Sequence, residues 1–172
     1  MNSKYNTKLV FWNAQTSSVI AKQQADAQRD KQKGRLPEHI YRFDSVLEFQ
    51  VYLHLNSMYP SHRIKRQVPV TLIPSGKCHP KGKKWRIDFA ITYSSCDSSV
   101  MHYIEAKGRI TPEFRNTLPI LEITNPDVFN KLFLVFGRKI PTENRVVNNL
   151  LSTKLVSHVY SFQTFTKLKA LR

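Results

Sequence analysis

The chain has 172 residues, 41% hydrophobic and 11% aromatic, so it can bury one core without disulfides or a structural metal. Its 27 lysines and arginines against 12 acidic residues give a formal charge of +15, typical of a protein that meets a polyanion, with nucleic acid as a better candidate than a membrane surface. Because no run of 18 apolar residues and no signal-peptide pattern is present, we expect a soluble, intracellular protein and exclude a membrane protein.

The two cysteines do not predict a metal site or a disulfide framework. Cys78 and Cys96 are too few for such a framework and too far apart for a zinc knuckle. Cys78 is followed by His79, but this pair lacks the other ligands that a structural zinc needs.

Acidic residues are missing from two long segments. There is no Asp or Glu between Glu48 and Asp88, nor after residue 143. The first of these segments contains eight basic residues, namely Arg63, Lys65, Arg66, Lys77, Lys81, Lys83, Lys84 and Arg86. Such segments suit phosphate contacts, which a carboxylate would weaken, so Asp88 and Glu105 are conspicuous exceptions. The alternative is that the basic residues are only a solvated surface.

In chain order, residues 1–40 are predicted to be a polar N-terminal extension with little contribution to a core, although "AKQQADAQRDKQKGR" can form a solvent-facing helix. Residues 41–172 are predicted to be one domain. It begins with a core helix in "FDSVLEFQVYLHLNSMYP", which Asp44 or Ser45 can cap and which ends before Pro60.

Three strands are predicted next. "QVPVTLIP" is β-branched, and "WRIDFAIT" alternates, with Ile87 and Phe89 on one face and Asp88 on the other. "VMHYIEAKG" is the third strand, with Glu105 and Lys107 on the same face. The second and third strands should pair as an antiparallel hairpin.

The remaining elements complete an α/β pattern. "TPEFRNTLPILEIT" predicts a helix in which Pro112 lies in the first turn and Pro119 introduces a kink or an end. A buried strand "KLFLVF", a helix that begins at Thr142 and a strand in "LVSHVYSF" follow. The predicted fold class is α/β, with a mixed central sheet flanked by helices.

Three carboxylates and a lysine fall at related places in this pattern. If the second and third strands pair, Asp88 and Glu105 converge, and two close carboxylates favour a cation between them. Mg²⁺ prefers such oxygen ligands and keeps waters, one of which can attack a phosphate. Lys107 would orient that water or neutralise charge that develops on the phosphate.

Each of these residues also has a simpler explanation. "SVLE" is a possible capping box, which explains Glu48 as well as metal binding does. Asp88 could pair with Arg86 or Lys84 on an exposed face. Glu105 and Lys107 could be an ordinary ion pair on a sheet, worth less than about 1 kcal/mol.

Taken together, "FDSVLE", "WRIDF" and "IEAKG" resemble the signature of the PD-(D/E)xK nuclease superfamily, with Ile87 where the motif name has proline. The context "RQVPVTLIP", "IDFAI", "EAKGRITPEFR" and "KLFLVFGRK" resembles phage junction-resolving endonucleases of the endonuclease I type, and also small phage nucleases related to the TnsA transposase subunit. The resemblance covers roughly residues 41 to 140 and implies a restriction-endonuclease-like core.

The resemblance implies a role for each motif residue. Asp88 and Glu105 would bind Mg²⁺, for which Mn²⁺ would substitute, with the Ala106 carbonyl as a further ligand. Glu48 would complete a second metal position, and Lys107 would be the catalytic lysine. Gly108 would allow a sharp turn. From charge and placement, the candidate phosphate contacts are Lys84, Arg86, Arg109 and Arg115.

The sequence thus predicts an Mg²⁺-dependent, DNA-associated endonuclease that acts as a homodimer on branched DNA such as a Holliday junction. Three alternatives stay open. The first is a sequence-specific nuclease of the homing, restriction or transposase type. The second is a DNA-binding module on a nuclease fold without activity. The third, an RNA-binding protein, lacks support from any stacked aromatic motif on a sheet.

Overall fold

The computed structural model describes residues 8–32, 34–77, 80–94, 99–152, 159–169 and 171, and of residues 146 and 150–152 only the backbone. The chain forms two compact units, Met1–Gln50 and Val51–Arg172. The predicted residues Cys78, His79 and Cys96 lie outside the described part. None of the helices that the structure describes combines the length and hydropathy needed to cross a membrane.

The first unit contains a small sheet rather than a featureless extension. Its elements are β1 (Val10–Asn13), β2 (Ser18–Ile20), α1 (Lys22–Lys31) and β3 (Ile40–Phe43). The strands are antiparallel in the order β2-β1-β3. Phe11, Ala25 and Ile40 are buried together, so the expectation that residues 1–40 contribute little to a core is wrong, whereas the predicted helix is confirmed as α1. The unit extends ten residues beyond the predicted boundary at residue 40.

The second unit contains a five-stranded mixed sheet, and the α/β class predicted from the sequence is confirmed. Helix α2 (Val46–Met58) begins in the first unit and continues into the second. The elements that follow it are β4 (Ile64–Ile73), β5 (Lys83–Thr92), β6 (Val100–Lys107), α3 (Pro112–Thr124), α4 (Pro126–Asn130), β7 (Leu132–Phe136), α5 (Arg145–Ser152), β8 (Val159–Ser161) and α6 (Phe162–Phe165).

The strand order is β4-β5-β6-β7-β8. β5 is antiparallel to both β4 and β6, whereas β7 is parallel to both β6 and β8. The predicted hairpin of the second and third strands is therefore confirmed as β5 and β6. A parallel neighbour requires a crossover, and α3 with α4 supplies it between β6 and β7. β7 is buried along its whole length, as its run of large apolar residues indicates.

One cluster of buried residues lies between this sheet and α3. It joins Val70 and Leu72 of β4, Ile87 of β5, and Phe114 and Leu118 of α3. Leu132, Leu134 and Phe136 of β7 belong to the same cluster. Burial of such side chains contributes about 1.5–3 kcal/mol each, so this cluster fixes α3 against the strands that carry the predicted site.

Some element boundaries differ from the prediction. α3 does not end at Pro119 but continues to Thr124. The helix predicted to begin at Thr142 is α5, which begins at Arg145. The last predicted strand is observed only as β8, because residues 153–158 lie outside the described part. The chain bends at Gly108, as expected, but without a positive φ, and a Cβ there would meet no atom within 4 Å, so the bend does not require glycine.

Candidate active site

Asp88 and Glu105 lie opposite each other where the ladder between β5 and β6 ends. The ladder runs from Thr92↔Val100 to Phe89↔Ile104, which leaves Asp88 and Glu105 as the next pair. At this position, backbone amides of the two strands donate to side-chain carboxylates instead of to backbone carbonyls of the neighbouring strand. The Asp88 amide donates to Glu105 Oε2 at 3.0 Å, and the Ala106 amide donates to Asp88 Oδ2 at 2.9 Å. These reciprocal bonds hold the two carboxylates side by side, as the strand positions predicted.

Lys107 continues this group on the same strand. Its Nζ lies 2.5 Å from Glu105 Oε1 and 4.9 Å from the centroid of the Phe114 ring. Phe114 is placed by the first turn of α3, where Thr111 Oγ1 accepts a hydrogen bond from the Phe114 amide at 3.2 Å. The ammonium group is therefore fixed between a carboxylate and an aromatic face, an arrangement that favours the charged form.

The electrostatics differ from those of an exposed ion pair. Glu105 is 1% exposed. Burial, and then the charge of Glu105, raise the pKa of Asp88 from its usual 3.8 to about 8, against the opposing effects of Lys107, the Ala106 amide and Gln67. Burial lowers the pKa of Lys107, but the charge of Glu105 and its hydrogen bond, with Asp88 and Glu113, raise it above the ordinary value overall. Two carboxylates thus share a single cation, and the lysine keeps its proton.

Gln67 of β4 also reaches this group. Its Nε2 donates to Asp88 Oδ1 at 3.4 Å, and its φ is +50° although it is not glycine. β4 pairs with β5 at Arg66↔Phe89 and Val68↔Ile87, so Gln67 lies opposite Asp88. A left-handed residue within a strand costs about 1–3 kcal/mol and persists only where the surrounding structure imposes it.

Glu48 makes the contacts of a helix cap. Ser45 Oγ accepts a hydrogen bond from the Glu48 amide at 3.0 Å, and Glu48 Oε2 accepts one from the Asp44 amide at 2.7 Å. The capping explanation for "SVLE" is thereby confirmed, with the reciprocal bond made one residue earlier than in a standard capping box. Glu48 is 3% exposed and belongs to the first unit, whereas Asp88 and Glu105 belong to the second. Its metal role stays a prediction.

The four predicted phosphate-binding residues are all exposed. Lys84 and Arg86 lie on β5, four and two residues before Asp88, and their cross-strand neighbours Thr71 and Pro69 are also exposed. Arg109 follows β6, and Arg115 lies on α3. We refer to residues 68–73 and 83–87, which pair with each other, as the basic ribbon.

Within the described residues, 83–87 pair only with β4, so the ribbon extends past the end of the β5–β6 ladder. Its other face, including Val70, Ile87 and Trp85, packs on the cluster that contains Phe114. Gly82 at its turn has a φ of +61°, and a Cβ there would lie 2.6 Å from the Ile73 carbonyl oxygen, so only glycine fits. The exposed face thus carries Lys84 and Arg86 on the same strand as Asp88.

The donor set fits a hard divalent cation bound by few protein ligands. Among the described residues, no three His, Cys, Asp or Glu side chains form a metal-binding group. Asp88 and Glu105 supply carboxylate oxygens, each of which carries two lone pairs. Mg²⁺ is commonly bound through one or two carboxylates and retains several waters, so this pair is sufficient. Its charge would also offset the burial and the repulsion by Glu105 that together raise the pKa of Asp88.

Sequence reasoning found Asp88, Glu105 and Lys107 but missed Gln67 and Phe114. Phe114 could have been found from the position of "TPEF" at the start of a helix close behind Lys107. Gln67 could not, because the register of β4 against β5 shifts between Thr71 and Ile73 and cannot be counted through the loop. Comparison of the chain with known proteins finds no matching family model, no matching curated protein and no matching solved structure.

Proposed function

We propose that this chain is a divalent-metal-dependent endonuclease that hydrolyses phosphodiester bonds of DNA. The observation that carries the proposal is the reciprocal pairing of Asp88 and Glu105 at the end of the β5–β6 ladder, with Lys107 in contact with Glu105. Groups whose pKa values are strongly raised by burial and by a specific charged neighbour, close to exposed cations, are typical of catalytic sites.

The roles follow from the contacts. Asp88 and Glu105 are the residues that would hold Mg²⁺, and when bound this ion would supply a Lewis acid and an activated water. Lys107 keeps its proton, which favours the second of its two predicted roles, stabilisation of negative charge that develops on the phosphate, over removal of a proton from water. The amides of Asp88 and Ala106 fix the orientation of both carboxylates.

The basic ribbon supports DNA as the substrate. Side chains on one face of a strand repeat about every 7 Å, so Lys84 and Arg86 form a line of two cations on the strand that carries Asp88. Such a line suits the phosphates of a backbone that enters the site. A small acidic substrate would not need cations spaced along a strand in this way.

The finer proposals come from the resemblance of the sequence motifs. They are a restriction-endonuclease-like core, a preference for branched DNA, and a homodimer that cuts two strands. The order of one helix, three antiparallel strands, a helix and a parallel strand supports the first. The second and third rest on "EAKGRITPEFR" and its neighbours in the sequence.

One observation favours a DNA-binding module without activity. Each oxygen of Asp88 and Glu105 already accepts a hydrogen bond or contacts Lys107, and no third ligand group joins them among the described residues. Such a module would bind DNA as well but would not cleave it.

Cleavage assays on three substrates test these proposals. A four-way junction, a linear duplex of matching sequence and a single strand are incubated with the protein in Mg²⁺, Mn²⁺ or EDTA, alongside Glu105→Gln. We expect metal-dependent cleavage of the junction that Glu105→Gln abolishes. Glu122→Gln is the matched control, because it makes the same charge change at an exposed residue of α3.

The possible results separate the proposals. Binding without cleavage by the wild type would favour the inactive module. Equal cleavage of junction and duplex would reject the branched substrate but not the nuclease. Metal-dependent cleavage by Glu105→Gln at the wild-type rate would overturn the site.

A further inference from the structure

Gln67 has a backbone conformation that its position in a strand does not explain. Within the described residues, only two residues other than glycine have positive φ, Ser17 and Gln67. Ser17 lies in the turn between β1 and β2, where this conformation is common, whereas Gln67 lies inside the ten-residue strand β4. An observed backbone outlier next to a candidate site motivates a functional hypothesis.

The positive φ of Gln67, which we call the kink, accompanies a contact of its side chain with Asp88 Oδ1. The other oxygen of Asp88, Oδ2, is bound within the hairpin of β5 and β6. Asp88 Oδ2 accepts from the Ala106 amide on β6 at 2.9 Å, and Oδ1 accepts from Gln67 Nε2 on β4 at 3.4 Å. Donors on both oxygens, from the strands on either side, fix the rotation of the carboxylate plane. The second contact is long, as is common in free enzymes, where such bonds tighten when the ligand binds.

We propose that Gln67 is a positioning residue that orients the Asp88 carboxylate for the divalent cation. The inference rests on the proposed function, because it assigns Asp88 the role of ligand. Hydrogen-bond partners of metal ligands typically change metal affinity or activity 10- to 100-fold when they are removed. Gln67 would act through Asp88 and would not itself touch the substrate.

The rival explanation is that the kink serves packing alone. Ile87 packs in the cluster with Phe114 of α3, whereas Phe89, two residues further on, stacks on Tyr52 of α2 with ring centroids 6.3 Å apart. Gln67 lies opposite the residue between them. In that case only the backbone conformation matters, and glycine, which adopts positive φ without strain, would replace Gln67 fully.

Two substitutions in the full-length protein distinguish these explanations. Gln67→Gly and Gln67→Ala both remove the amide, but only Gln67→Gly relieves the backbone strain. Mn²⁺ binding is measured by electron paramagnetic resonance without DNA, together with the melting temperature in EDTA and the Mg²⁺ concentration that gives half-maximal cleavage. Glu122→Gln serves again as the exposed control.

We expect both variants to bind Mn²⁺ about 10- to 100-fold more weakly than the wild type, with Gln67→Gly melting a few degrees above Gln67→Ala. Wild-type Mn²⁺ affinity in Gln67→Gly would overturn the positioning role and leave the proposed nuclease intact. A wild-type protein that neither binds Mn²⁺ nor cleaves DNA would overturn both. Retained Mn²⁺ affinity in Gln67→Ala would also reject the inference, whatever its melting temperature.

Discussion

At the scale of single residues, Lys107 differs from a surface lysine because it lies between Glu105 and the ring of Phe114 with its pKa raised. We expect Lys107→Met to lower the single-turnover cleavage rate by about 10²- to 10³-fold, because the charge that would stabilise the transition state is lost. Lys107→Arg keeps the charge and should lose less. Lys167→Met, at an exposed position, is the control. Wild-type rates in Lys107→Met would contradict the role.

The raised pKa of Asp88 predicts how stability depends on pH. Between the usual 3.8 and about 8, the folded protein binds a proton at Asp88 that the unfolded chain has lost, so this residue's contribution to the free energy of unfolding falls as pH rises. Asp88→Asn removes the titration. In EDTA, the melting temperature of Asp88→Asn relative to wild type should therefore be higher at pH 8 than at pH 4. Thermal unfolding at both pH values checks this, and a constant difference would contradict it.

At the scale of elements, the basic ribbon gives a prediction about DNA affinity. If Lys84 and Arg86 each contact a phosphate, Lys84→Ala and Arg86→Ala should each weaken DNA binding at moderate salt and reduce the slope of log K against log salt by about 1. The effect should be the same for different DNA sequences. Fluorescence anisotropy over a salt series measures it, with Lys167→Ala as control. An unchanged slope in both variants would show that the ribbon does not contact DNA.

The helices and strands also show what the sequence determines and what it does not. The hairpin of β5 and β6 was predictable, because alternation in "WRIDFAIT" and the position of Glu105 place the two carboxylates opposite each other. The kink at Gln67 was not, because no local preference requires it. Pro119 misled the prediction for a physical reason. It lies on the exposed side of α3, as does Arg115, so water can satisfy the carbonyl that loses its helical partner.

At the scale of the whole molecule, composition predicts a class of partner but not how the charges are arranged. The charge of +15 favours a polyanion, but it does not reveal that Lys84 and Arg86 are both exposed on the strand that carries Asp88. The first unit was missed because its strands have only three or four residues, too few to show a period. Its buried cluster combines residues from separate elements that are unremarkable individually.

The two units also differ in the size of their cores, which predicts different local stabilities. Among the described residues, five buried apolar side chains belong to the first unit, namely Val10, Phe11, Ala25, Ile40 and Phe43, against 24 in the second. A small cluster gives weak protection against local opening. Backbone amides of β1, β2 and β3 should therefore exchange with deuterium faster than those of β5, β6 and β7. Phe11→Ala should increase this exchange further in the first unit and leave β7 unchanged, because removing a buried phenylalanine costs about 3–5 kcal/mol. Mass spectrometry of peptides from both units measures this, and equal exchange in both units would show that they open together.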